Sequence, residues 1–239
     1  MKNVIITGAA GNLGQVVVRY FLEQGFRVIA VARDAAEVVS LRETGDKAAL
    51  NQKDGSLHIV TLDLADEAVV QDFASEIIRE YKTVDAALLL AGGFAMGGIA
   101  ETSINVWRDQ LTLNFETAYN VARPFFAHML EKGAGRIVFV GTRPAMEPAA
   151  GKNMMAYALS KSLLFRLAEL LNADAGDSDV VSSVIVPSTI DTPANREGMP
   201  GADWQKWVKP QQIAELLHMI CSETGAPLRE TVLKIYGRS

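Results

Sequence analysis

Tyr157 and Lys161 stand four positions apart in the run Tyr157-Ala158-Leu159-Ser160-Lys161. On a helix, residues at i and i+4 share a face, so both side chains can serve one site. Reduction of a carbonyl needs a hydride on carbon and a proton on oxygen. A free tyrosine, with a pKa of about 10, exchanges that proton poorly at neutral pH. A neighbouring ammonium stabilises the phenolate and brings it toward working range. The spacing therefore suits proton transfer at a carbonyl oxygen. A core tyrosine beside a surface lysine is the plain alternative.

A second constellation is Thr7-Gly8-Ala9-Ala10-Gly11-Asn12-Leu13-Gly14, between an apolar run and a helical period. Gly8 permits a tight turn. Gly11 lets the backbone approach a pyrophosphate with no Cβ in the way, and Gly14 lets the helix lie close to the strand. The helix N-terminus then offers N–H groups and a positive dipole end to phosphates. A strand–helix turn without a ligand uses similar residues. Its place in the first strand–turn–helix of an alternating chain favours a dinucleotide. The second strand ends Ala32-Arg33, where a carboxylate would bind the ribose 2′-OH of NAD. The Arg33 guanidinium can pair with the 2′-phosphate of NADP, so NADP is expected and NAD is the alternative. A solvated Arg33 neutralised by Asp34 is the plain reading.

The elements that position these residues follow from hydrophobic pattern. Short apolar runs at 4–7, 27–31, 57–62, 86–90, 136–140, 181–186 and 232–235 read as strands, most of them apolar on both faces. Leu13, Val16, Val17, Tyr20 and Phe21 fall on one helical face that Gly25 ends. Asp66 can cap a helix carrying Val70, Phe73 and Ile77. Helical periods also cover 104–130 and 157–171, and a last one begins after Pro210. Strand–helix alternation predicts a single α/β domain over 1–239. Its expected form is a doubly wound, parallel, seven-stranded sheet with helices on both faces. A substrate loop or lid is expected at about 190–210.

Composition narrows the function. The 239 residues are 49% apolar and 21% charged, which argues against disorder. The formal net charge of −5, with no Lys/Arg cluster, speaks against nucleic acid as a partner. Cys221 is the sole cysteine, and His58, His128 and His218 lie far apart, so neither a disulfide nor a metal site is expected. No apolar run approaches a membrane span. A cytoplasmic enzyme acting on a small molecule is the expectation.

Thr-Gly-x-x-x-Gly-x-Gly followed in order by Tyr-x-x-x-Lys resembles the short-chain dehydrogenase/reductase family, and the match covers nearly the whole chain. The resemblance implies a Rossmann fold and an NAD(P)-dependent oxidoreductase with Tyr157 as proton donor. Lys161 would also hold the nicotinamide ribose hydroxyls. Asn114 would hold, through its backbone carbonyl, a water that relays protons to the lysine. Thr142 takes the place of the family serine at the end of the fifth strand. Asp63-Leu64 would contact the adenine, and Ala91-Gly92-Gly93 would lie against ribose. Backbone at Pro187-Ser188-Thr189-Ile190 and the Thr192 hydroxyl would face the nicotinamide carboxamide, although an ST-turn explains Thr192 as well. The departures are Leu89-Leu90 for Asn-Asn, Ser188 for Gly, and Thr142, which lies fifteen residues before Tyr157, a longer spacing than the family commonly shows.

Phe94, Met96, Met146, Met154, Met199, Trp204 and Trp207 supply an apolar, Met-rich pocket, and Arg143 or Arg196 could meet a substrate anion. Ala91-Gly92-Gly93-Phe94-Ala95-Met96-Gly97-Gly98 and Asp191-Thr192-Pro193-Ala194-Asn195-Arg196 resemble quinonoid dihydropteridine reductase, which implies a pterin-like substrate. A general ketone reductase, a 3-oxoacyl thioester reductase and a nucleotide-binding sensor without turnover are the competing readings. The family's dimer faces correspond to the helices of 104–130 and 157–171, so a homodimer or homotetramer is expected.

Overall fold

Val4 and Ile6 bury into one apolar layer and Ile5 into another. Successive strand residues point to opposite faces, so a run apolar at every position must be covered on both sides. The structure, a computed structural model, describes residues 1–49, 55–229 and 232–238. The strands are β1 (Asn3–Thr7), β2 (Arg27–Ala32), β3 (Ser56–Thr61), β4 (Ala86–Leu89), β5 (Ala134–Val140), β6 (Asp179–Pro187) and β7 (Val232–Ile235). They make one parallel, seven-stranded sheet of order β3-β2-β1-β4-β5-β6-β7. The order reverses between β1 and β4. The crevice outside the strand C-termini at such a switch point is where ligands bind.

The helices are α1 (Asn12–Glu23), α2 (Ala35–Ala49), α3 (Glu67–Tyr81), α4 (Ile104–Leu111), α5 (Thr117–Lys132), α6 (Arg143–Met146), α7 (Pro148–Gly151), α8 (Met155–Ala175), α9 (Pro193–Gly198) and α10 (Pro210–Ile220). Val17 and Phe21 of α1, Leu41 of α2 and Ile213 and Leu217 of α10 pack with Val4, Ile6 and Val28. Phe73 and Ile77 of α3, Val121 and Phe125 of α5, and Leu164 and Leu167 of α8 pack with Ile5, Ile29 and Ile137. The sheet is thus covered by helices on both faces, as the alternation predicts. Asp66 caps α3, its carboxylate accepting from the Ala68 and Val69 amides.

Three details differ from the expected elements. The helix expected over 104–130 is interrupted by a π turn, Thr112–Glu116, between α4 and α5. The extra residue turns the helix face, but the segments on either side each keep helical apolar spacing, so the pattern does not reveal it. The helix α2 falls in no expected element, because Gly45 sits inside it and its buried apolar positions are sparse. The helix expected over 157–171 starts at Met155 and runs to Ala175. Among the described residues no helix is long and apolar enough to cross a membrane.

Candidate active site

The glycine turn follows β1 at the switch point. Gly8 has a φ of +62°, and a Cβ there would lie 2.8 Å from the Ala91 nitrogen. A Cβ on Gly14 would lie 2.1 Å from the Gly8 carbonyl oxygen, so both positions exclude any side chain. Gly11 differs: a Cβ there would meet only the Gly8 oxygen, at 3.3 Å. Gly11 also caps α1 without any side-chain hydrogen bond. The first-turn amides of Asn12, Leu13 and Gly14 therefore have no side-chain cap and could meet an anionic group such as a pyrophosphate. Thr7 Oγ1 accepts from the Ala91 amide at 3.2 Å and ties this turn to the loop after β4.

Arg33 follows β2 with its side chain 79% exposed. Its guanidinium pairs with Glu37 of α2, at 2.6 Å from Nη2, and not with Asp34, the neutralising residue of the plain alternative. Asp34 instead accepts from the Glu37 amide. Asp63, after β3, accepts from the Ala65 amide, and Asn120 of α5 donates to the Leu64 carbonyl at 3.0 Å. The expected adenine-side loop is thus held from α5, through Asn120, which no motif marks.

The π turn gives Asn114 its position. Asn114 is fully buried, and its Oδ1 accepts from the Gly93 amide at 2.9 Å. Its Nδ2 donates to Gln110 Oε1 at 3.1 Å and to Ser160 Oγ at 3.2 Å. A buried amide is costly unless satisfied, and this one joins α4, α8 and the loop after β4. A Cβ on Gly92 would lie 2.7 Å from Asn114 Oδ1 and 3.0 Å from Lys161 Nζ, so both side chains press against that loop. Gln110 and Ser160 were missed. Their signal was the i−4 spacing to Asn114 and the Ser-Lys step inside the tyrosine motif.

Thr142 ends the path from β5, with its hydroxyl close enough to the Tyr157 phenol to favour the phenolate. The two short helices α6 and α7 take up the long Thr142–Tyr157 spacing. Burial pushes the phenol above its ordinary value, and the Thr142 hydroxyl opposes that rise. The expected lowering by Lys161 is absent. The Lys161 ammonium donates instead to the Val140 carbonyl at 2.9 Å, and burial pulls it down to about 8. Phe94 meets the Tyr157 ring edge-on at 5.1 Å and remains 57% exposed.

The loop after β6 is pinned from several sides. Ser188 donates through its amide to the Ile235 carbonyl and through its hydroxyl to the Tyr236 carbonyl. Thr189 and Ile190 pair with Val208, and Thr192 Oγ1 caps α9 by accepting from the Asn195 amide at 3.2 Å. The cap accounts for one lone pair of that hydroxyl, and its proton remains available for donation. Asp191, its side chain 5% exposed, receives a two-pronged Arg196 guanidinium and the Lys209 ammonium, which hold it well below the usual carboxylate range. Arg196 also lies 4.9 Å from the Trp204 ring centroid. Arg143 pairs with Glu147 and lies 5.0 Å from the Tyr236 ring. Both arginines considered for a substrate anion are therefore already paired with carboxylates. Met96, Met146 and Met199 are exposed. Among the described residues no group of three or more His, Cys, Asp or Glu side chains is assembled for a metal.

The short chain dehydrogenase family model matches residues 2–202. Dehydrogenase/reductase SDR family member 7B of Danio rerio is 28% identical over 192 residues, covering 80% of this chain and 62% of that relative. Acetoacetyl-CoA reductase of an Acinetobacter species is 26% identical over 247 aligned positions, covering 99% of this chain and 96% of the relative. The chain thus spans less than two thirds of the first relative and nearly all of the second. A crystal structure from Beutenbergia cavernae, assigned as an NAD(P)-dependent gluconate 5-dehydrogenase and holding NADP at low occupancy, shares the fold with a TM-score of 0.87. It is 24% identical and covers 99% of this chain and 95% of its own.

Proposed function

This chain belongs to the short-chain dehydrogenase family, and on that premise we propose that it uses NADPH, with NADH as the alternative, to reduce a small carbonyl or quinonoid, pterin-like substrate. The observation that carries the reading is the cluster at the end of β5: Thr142 beside the Tyr157 phenol, with buried Lys161 held by the Val140 carbonyl and buried Asn114 holding the Gly93 amide.

The glycine turn supports a dinucleotide because its one open glycine lies at uncapped helix amides. Thr7, Gly8, Gly11, Asn12, Leu13 and Gly14 would hold the pyrophosphate. Arg33 would meet a 2′-phosphate and Asp63-Leu64 the adenine. Ala91, Gly92, Gly93 and Lys161 would flank the nicotinamide ribose, and Pro187, Ser188, Thr189, Ile190 and Thr192 the carboxamide. The bound nicotinamide supplies the hydride. Tyr157 donates its proton to the substrate oxygen as negative charge develops there. Thr142 donates a hydrogen bond to the same oxygen or to the phenolate left behind, in the role of the family serine. The Lys161 ammonium stabilises that phenolate once it turns from the Val140 carbonyl. The Asn114 amide fixes the Gly93 backbone, and its own carbonyl would hold the relay water.

Phe94, with exposed Met96, Met146 and Met199, offers a flat, polarizable surface suited to an aromatic or quinonoid ring. The carboxylate-paired Arg143 and Arg196 favour an uncharged substrate. The segment over 190–210 is the proposed lid of this single domain. The Acinetobacter relative favours a 3-oxoacyl thioester as the second reading. Exposed Ile104, Leu113 and Tyr119 beside exposed Leu159, Leu163 and Leu170 support a homodimer or homotetramer through these helices. Sedimentation of Leu163→Glu should show a shift toward monomer; a wild type that is monomeric at micromolar concentration contradicts assembly.

The substrate test follows NADPH or NADH oxidation against quinonoid dihydropterin, quinones, simple ketones and a 3-oxoacyl thioester. Turnover is expected with the quinonoid compound. Turnover confined to the thioester would transfer the reading to the second alternative.

A further inference from the structure

We propose that Glu37 sets the choice between NADH and NADPH in this chain, by returning from α2 the carboxylate that the end of β2 lacks. The inference rests on the reading of this crevice as a dinucleotide site. Ala32 closes β2 fully buried and offers no acceptor. The donors at that strand end are the Arg33 amide and guanidinium, and one carboxylate holds both. Glu37 Oε2 accepts from the Arg33 amide at 2.8 Å, and Oε1 accepts from Nε at 2.7 Å and lies 2.6 Å from Nη2.

The arrangement is built locally. Asp34 accepts from the Glu37 amide at 3.0 Å and starts α2, so the Glu37 side chain folds back over Arg33. An exposed guanidinium alone would be a weak tether. The backbone amide is a fixed one, and the Glu37 side chain is only 19% exposed. The carboxylate therefore stays at the strand end when the Arg33 side chain moves.

Its chemistry opposes one cofactor and suits the other. A ribose 2′-hydroxyl donates to a carboxylate, as an acidic residue at this strand end normally allows. A 2′-phosphate carries only acceptors and would compete with Glu37 for the same amide and guanidinium, with like charges adjacent. Arg33 attracts the phosphate, while Glu37 and the nearby Asp34 repel it. Glu37 thus weakens the preference for NADPH that Arg33 confers on the wild-type chain. Glu37 is the element whose removal converts it to an NADPH-selective protein.

The test measures dissociation constants of NADPH and NADH by nicotinamide fluorescence, and of 2′,5′-ADP and 5′-AMP by calorimetry, so no substrate is needed. Glu37→Gln, near-isosteric and without charge, should raise the NADPH-to-NADH affinity ratio tenfold or more, and the fragment ratio in the same direction. Adding Arg33→Ala to that variant should abolish the gain. Glu37→Ala repeats the measurement if the glutamine variant fails to fold. A ratio that moves less than threefold, or equal weakening of both cofactors, overturns the proposal and leaves Glu37 a structural residue of α2. Failure of the wild type to bind either cofactor would overturn the dinucleotide reading itself.

Discussion

The Lys161 ammonium, in a residue only 4% exposed, donates to the Val140 carbonyl at 2.9 Å. Burial brings it down to about 8, while burial pushes the Tyr157 phenol up. The two groups of the tyrosine motif are therefore poised differently. Tyr157 remains an acid across the working range, and Lys161 is the group that titrates.

The first consequence is a pH profile. Below about 8 the lysine is charged and Tyr157 carries its proton, which is the form that reduces a carbonyl. As pH rises through about 8 the ammonium is lost. kcat/KM for reduction, which reports the free protein, should fall above that point. A profile flat to pH 10 would show that Lys161 charge does not matter.

The same burial predicts a cost in stability. Lys161 binds its proton less tightly folded, at about 8, than at its ordinary 10.5. The unfolded chain therefore binds more protons between those values, and stability should rise with pH across that window. Below it, folding bears the full cost, about 3 kcal/mol for the gap. Lys161→Met removes that cost and leaves the Val140 carbonyl unpaired, at about 1–2 kcal/mol. The net expectation at pH 7 is a gain of about 1–2 kcal/mol, or roughly 2–8 °C in Tm, with turnover lost. A melt several degrees lower would contradict it.

The Thr142 hydroxyl is placed to favour the phenolate of Tyr157. Thr142→Val keeps the shape and removes the hydroxyl, so kcat should fall about 10–100-fold. Thr142→Ser should recover activity to within a few fold. Equal activity of the valine variant would remove Thr142 from the chemistry.

The glycine turn separates folding from binding. Gly14→Ala drives a methyl group against the Gly8 carbonyl and should destabilise by about 3 kcal/mol or more. Gly11→Ala meets only one atom at the edge of contact. It should melt within about 1 kcal/mol of wild type while cofactor affinity drops tenfold or more. Loss of stability in both variants, with no loss of affinity in Gly11→Ala, would contradict the cradle.

The sheet was legible because its inner strands carry consecutive apolar residues on both faces, as Val4, Ile5 and Ile6 illustrate. The glycine turn was legible because steric exclusion leaves Gly8 and Gly14 no substitute. The π turn was hidden, since an extra residue at Asn114 shifts the helix face without disturbing the apolar count. The Arg33–Glu37 pair stands at i, i+4, but α2 has too few apolar positions to read as a helix, so the pattern does not point to Glu37. The direction in which Lys161 points depends on the Val140 carbonyl from another element. No motif spacing encodes that.

The central claim is that Tyr157 is the proton donor at a nicotinamide site. The most direct measurement compares Tyr157→Phe with wild type in both NAD(P)H turnover and cofactor dissociation constant. Turnover should fall at least about 10³-fold while binding changes less than about threefold, since the lost group acts only in the chemical step. Unchanged turnover in Tyr157→Phe would contradict the account and move the proton donor elsewhere.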